Sequence, residues 1–263
     1  MMKWIVDQGR LLFAIAIAAF GVENLTCAHS SGANLPVIPW VPGHAWLAYL
    51  TGVLLLAAAI CIAARFKERL TAILLGFFFL LCALLLQLPK LVGAPMDVGI
   101  RTTAFETLTM CSAAWMLAAS LPAQRTLLQP WQSLLRGLLK SGRYLFAFSS
   151  IVFGIDHYIV FALIVSLIPH WIPGGGWLWT HITALAFILA GLSIITGWMD
   201  RLAATMLGLM FLLWFLVLHA PRVMSFPRSH NPNEWSSAFI ALGVCGASWI
   251  LAASLSAKNP QAK

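Results

Sequence analysis

The chain has 263 residues, 61% of them hydrophobic and only 9% charged, with a formal net charge of +8. Soluble domains carry about 25% charged residues, so this composition and a mean hydropathy of +0.89 exclude the ordinary soluble classes and leave a membrane chain. On so apolar a chain a basic balance points to lipid headgroups before nucleic acid, and no nucleic-acid-binding module is visible.

A transmembrane helix needs about 20 mostly apolar residues. Eight such runs follow one another, at roughly 11–28, 45–64, 70–90, 102–121, 144–168, 176–197, 202–221 and 235–255. Strand-type alternation is absent, so the expected fold is all-α and integral to the membrane. With the N-terminus inside, the inner segments hold twelve Lys and Arg: Lys3, Arg10, Arg65, Lys67, Arg69, Arg125, Arg136, Lys140, Arg143, Arg201, Lys258 and Lys263. The outer loops hold four, Lys90, Arg101, Arg222 and Arg228. That asymmetry predicts both termini on the cytoplasmic side.

The first span, "GRLLFAIAIAAFGVEN" from Gly9, returns as "GRYLFAFSSIVFGIDH" from Gly142. Span one has the basic start of a signal peptide, but its mid-chain copy marks it as a structural helix. Further pairs follow in order. "WVPG" at 40–43 matches "WIPG" at 171–174, and "ERLTAILLG" from Glu68 matches "DRLAATMLG" from Asp200. "LPK" at 88–90 matches "APR" at 220–222, and "CSAAWMLAASL" from Cys111 matches "CGASWILAASL" from Cys245. Four helices per copy is an even number, so the copies enter the membrane in the same direction as a parallel repeat. The expected division is a first four-helix bundle at 1–122, an amphipathic inner-surface linker helix at 123–142, a second bundle at 143–257 and a tail at 258–263. The linker carries Leu127, Leu128, Trp131, Leu134, Leu135, Leu138 and Leu139 on one side of a helix. Small residues inside the spans permit close helix approach, and Trp40, Trp46, Trp171, Trp177 and Trp235 fit the headgroup belt.

The five cysteines, Cys27, Cys61, Cys82, Cys111 and Cys245, form neither C-x-x-C nor a zinc spacing, and four lie in apolar runs. All seven histidines map to the outer side. His29, His44, His170 and His230 fall in loops, whereas His157, His181 and His219 fall within spans of the second copy. At about 1.5 Å per residue all three lie in the outer half of a core about 30 Å thick. Ionisable groups at that depth face a bundle interior or a wet cavity. Asp156, His157, His181, His219 and Arg222 are therefore expected to form an outward-facing polar pocket that binds a ligand head or relays protons. The other reading is that they pair with one another and specify packing. Their first-copy counterparts are Glu23, Asn24, Leu50, Gln87 and Lys90, so the acid and the base recur while the histidines do not. Glu106 has no acidic counterpart, since Ile240 stands there, and is expected to pair with Arg101 or Lys90. The spacing fixes no metal site, and no phosphate loop, dinucleotide fingerprint, zinc-protease or nucleophile-elbow motif is present.

In the second copy "FGIDHYIV" from Phe153, "IPHWIPGG" from Ile168, "ILAGLSI" from Ile188, "LHAPRV" from Leu218 and "NEWSSAFIALG" from Asn233 together resemble the DoxX family of small bacterial four-helix membrane proteins. The first copy is similar more loosely over 10–120. The resemblance implies a tandem fusion of two such units in a bacterial inner membrane. Its pattern residues here are His157, His219, Pro221, Arg222, Asn233 and Glu234. Some relatives are similar to a subunit of a thiosulfate:quinone oxidoreductase, and others are linked to redox or oxidative-stress assemblies. The implied role is an accessory membrane subunit, quinone- or lipid-associated, beside a periplasmic or membrane redox protein. Neither haem, flavin nor nucleotide motifs accompany it. A small-solute carrier and a scaffold without a ligand are the alternatives.

Overall fold

The computed structural model describes residues 2–26, 45–122, 132–225 and 232–256. Among these there is no strand; the elements are α1 (Met2–Thr26), α2 (Ala45–Ala63), α3 (Glu68–Cys82), α4 (Leu88–Gly93), α5 (Val98–Ser120), α6 (Gln132–Ile159), α7 (Phe161–Leu167), α8 (Gly175–Thr196), α9 (Asp200–Trp214), α10 (Ala220–Ser225) and α11 (Pro232–Ser256). Two π-helical turns, Ala83–Gln87 and Phe215–His219, join α3 to α4 and α9 to α10. Seven described stretches are helical, long and apolar enough to cross a membrane: Val6–Thr26, Trp46–Ala63, Glu68–Gly93, Ser133–Ile159, Gly175–Thr196, Asp200–Ser225 and Glu234–Leu255. Helix α5 matches them in length but carries Arg101, Glu106 and four threonines. It is walled by α3, α6 and α11, and every residue from Thr109 to Ala118 is buried. Its polarity is tolerated because neighbouring helices, not hydrocarbon, surround it.

The π turns have a chemical cause. Pro89 and Pro221 lack an N–H, and their rings crowd the carbonyls of Leu85 and Val217 one turn earlier, so the ladder widens just before each proline. The junctions after α2 and α8 also correspond. Lys67 and Met199 adopt left-handed φ values of 44° and 52° immediately before α3 and α9. Arg10 donates to the carbonyls of Ile62 at 2.7 Å and Ala63 at 2.9 Å, closing the end of α2, and Glu68 lies 3.8 Å away. Arg143 donates to Ile194 O at the end of α8 and to Asp200 Oδ2 at 3.3 Å. Each arginine supplies donors to helix-end carbonyls that lack intrahelical partners.

The pairings cross between the two sequence copies. Helix α1 packs on α2 and α11, α6 on α8 and α5, α3 on α5, α9 on α11, and α5 on α11. The α1–α11 contact is backbone to backbone: a Cβ on Gly9 would stand 2.9 Å from Gly246 O, and one on Gly246 would stand 2.6 Å from Gly9 O. At α3–α5 and α9–α11 the indoles of Trp115 and Trp249 fill the space over Gly76 and Gly208. The expected linker helix is not a separate element over its described part. Residues 132–159 form one continuous helix, because nothing in "SLLRGLLKSGRYLF" breaks it; 123–131 lie outside the described residues. Span five, expected to be unbroken over 144–168, instead turns at Val160 (φ −104°, ψ 36°) between α6 and α7.

Candidate functional site

At the end of the bundle away from Arg10 and Arg143, helices α5, α6, α7, α8, α9 and α11 line a half-open cavity of about 260 Å³. Three helices present regular faces to it. Val98, Thr102 and Glu106 recur every four residues on α5; Phe153, Asp156, His157 and Val160 follow a one-face pattern on α6; Ser237, Ile240, Ala241 and Val244 do so on α11. Thr183 and Phe187 of α8 complete one side, and Phe211, Trp214, Leu218 and His219 complete another. The aromatic wall is edge-packed, with ring centroids 6.0 Å apart for Phe153–Phe187 and 5.3 Å for Phe187–Phe211.

Asp156 is buried and satisfied. Arg101 Nε donates to its Oδ1 at 2.7 Å, Arg101 Nη2 donates to the same oxygen, and Thr102 Oγ1 donates to Oδ2 at 3.3 Å. His157 Nδ1 lies 2.7 Å from Phe153 O. A carbonyl only accepts, so Nδ1 carries the hydrogen and Nε2 of the neutral ring is an acceptor. Its ring packs on Phe187 at 5.2 Å. His219 also lines the cavity, and its Nδ1 is buried with no hydrogen-bond partner. Glu106, part-buried on the same wall, makes no hydrogen bond or ion pair to another described residue.

Of the residues expected to share this pocket, Asp156, His157 and His219 do so, whereas His181 and Arg222 do not. His181 sits among Trp177, Phe161 and Tyr158, with centroids at 4.3, 4.8 and 5.5 Å. It is two residues from Thr183, about 200° around the helix, so it points away when Thr183 and Phe187 face in. Arg222 is held by Glu234, which accepts from Nε at 3.1 Å and from Nη2 at 2.6 Å. The side chain of Asn233 lies outside the described residues. Glu106 pairs with neither Arg101 nor Lys90, since Arg101 is engaged by Asp156 and Lys90 is exposed.

The first-copy counterparts are packed differently. Glu23, buried, accepts from Ser236 of α11 at 3.2 Å, as Asp156 accepts from Thr102 of α5. Asn24 donates to Phe20 O at 2.8 Å, the same one-turn bond that His157 makes, and Gln87 is buried. Cys61, Cys82, Cys111 and Cys245 are free thiols. Among the described residues no group of three His, Cys, Asp or Glu could hold a metal ion.

The sequence reading missed that the cavity is built across the copies, with α5 of the first supplying one wall to helices of the second. The signal was present: Glu106 lies four residues after Thr102, which lies beside Arg101. The site therefore combines a carboxyl and an imidazole nitrogen without partners, a second imidazole with a fixed tautomer, and apolar walls. Such a constellation binds a small molecule with a polar head or exchanges protons with it. Fold and site together define an all-helical protein of membrane type with a half-open cavity near one end of its bundle. No known family model, curated protein or solved structure matches the chain.

Proposed function

We propose that the chain crosses a bacterial inner membrane eight times, as two parallel four-helix repeats of DoxX-like character with both termini cytoplasmic. Its outward cavity binds a small amphipathic molecule, and the protein acts as an accessory subunit of a membrane redox or stress-related assembly. The observation that carries the ligand is the unpartnered pair of Glu106 and His219 Nδ1 on an otherwise apolar, aromatic wall. Unsatisfied polar groups in such surroundings cost on the order of 1–3 kcal/mol each, and a ligand head removes that cost. A quinone-like ring is one molecule of suitable shape, and a periplasmic or membrane redox protein is the corresponding partner. The repeat reading is supported by matched features 131–134 residues apart: the π turns before Pro89 and Pro221, the Trp–Gly contacts, and the arginines that close α2 and α8.

The test is mild purification followed by mass spectrometry of the organic extract. We expect one small-molecule species in about stoichiometric amount, and its loss from Ala241→Phe, which fills the cavity from α11. An extract holding only phospholipid, identical for both proteins, would overturn the ligand reading.

A further inference from the structure

Glu106 stands apart from the other acids described. Asp7, Glu68, Asp156, Asp200 and Glu234 each lie within 4 Å of an arginine. Asp97 accepts from the N–H of Ile100 at the start of α5, and Glu23 accepts from Ser236. Glu106 alone faces a cavity with neither a counter-cation nor a hydrogen-bond donor from another described residue. Among the described residues neither Lys nor Arg lines that cavity.

The remaining lining has a consistent sense. His157 Nε2 is an acceptor once Nδ1 is committed to Phe153 O. His219 Nδ1 is free to accept. The walls present the rings of Phe153, Phe187, Phe211 and Trp214, and aromatic faces attract cations. A buried carboxylate is unstable alone and needs a proton or a positive partner.

We propose that the ligand head is cationic: a hydrophobic amine or quaternary ammonium whose charge meets Glu106 and whose body lies on the aromatic wall, in competition with a proton for the same carboxylate. This rests on the reading of the cavity as a ligand site and names the class of ligand. When the cation enters, the Glu106 carboxyl gives up its proton if it holds one; when the cation leaves, a proton returns. Affinity therefore falls as pH falls. The groups that face Glu106 are His157 and Asp156 from α6, with Asp156 neutralised by Arg101 of α5, and His219 from the turn after α9. Among the described residues, α8 and α11 add only Thr183 and Ser237 as polar groups to the cavity, while Arg222 and Glu234 pair with each other. Protonation of His157 or His219 opposes a cation in the same direction as protonation of Glu106.

The test uses the full chain in detergent or nanodiscs with three probes titrated by calorimetry: benzyltrimethylammonium, its uncharged isostere neopentylbenzene, and duroquinone as a neutral dione. We expect the cation to bind at pH 8 at least about tenfold tighter than the isostere, because only it meets the carboxylate. Between pH 8 and pH 5.5 its affinity should drop about tenfold or more. Glu106→Gln should bring the cation down to the level of the isostere and shrink the pH effect to about threefold or less, the part left to the two imidazoles. Equal binding of cation and isostere, or preferred binding of duroquinone that Glu106→Gln leaves unchanged, would overturn the cationic head while the cavity remains a ligand site. No binding by any probe would overturn both readings. If Glu106→Gln does not fold, the pH profile of the unaltered protein and of Glu106→Asp decides, since Asp keeps the charge one methylene further back.

Discussion

Arg101 and Asp156 are 55 residues apart in the chain and belong to different copies, yet two guanidinium nitrogens of Arg101 both donate to Asp156 Oδ1 at the rim of the cavity. Asp156 is 5% exposed at its side chain and Arg101 15%, so neither charge is well hydrated. Removing one partner strands the other in apolar surroundings. Arg101→Ala is expected to cost about 3 kcal/mol, read as a lower thermal-unfolding midpoint in detergent. Arg101→Ala with Asp156→Asn should recover part of the loss, because no bare charge then remains. Thr102 reinforces the same carboxylate, as Ser236 does for Glu23 in the other copy, where Trp235 stands in the place of Arg101. The sequence aligned Asp156 with Glu23 of the first copy, but it could not tell which basic residue would reach Asp156. Arg222, four positions past Leu218 of the cavity wall, turns instead to Glu234.

Each long helix was legible from hydropathy alone, and the observed bounds mostly lie within a few residues of those expected. What hydropathy does not encode is rotation about the helix axis. His181 and Thr183 are adjacent in any linear reading, but only the packing of α6 on α8 decides which of them meets the cavity. The break at Val160 was also hidden, because no proline or glycine marks it. The matched small-residue contacts were better signalled: Gly76 and Gly208 sit at equivalent places in "ERLTAILLG" and "DRLAATMLG". In both, a tryptophan from the last helix of the same copy occupies the space a methyl group would need. Gly76→Ala and Gly208→Ala should each destabilise by about 1–3 kcal/mol through overpacking, to a similar degree, measured by thermal unfolding. A large effect at one site and none at the other would show that the two helix pairs are not mechanically equivalent.

Across the whole molecule the basic residues Arg10, Arg65, Arg143 and Arg201 gather at the end opposite the cavity, where α2 and α8 finish and α3 and α9 begin. Orientation can be read by introducing single cysteines into a variant lacking the native thiols. Lys90→Cys, at the cavity end, should react with an impermeant maleimide in intact cells, and Arg201→Cys only after the membrane is opened; the reverse pattern would invert the proposed topology. Seven of the eight expected spans return as long apolar helices among the described residues, but their partners were not legible. Sequence repeats imply self-contained units, whereas here α1 lies on α11 and α5 on α6, and Gly9 and Gly246, which let the α1 and α11 backbones touch, come from different copies. That exchange has a consequence for biogenesis. Helix α1 leaves the ribosome well before α11, on which it packs closely. At about 5–20 residues per second, synthesis separates the two by on the order of ten to forty seconds. During that interval the flank of α1 around Gly9 and Phe13 rests against lipid or an insertion chaperone, and the bundle can close only once α11 has been made.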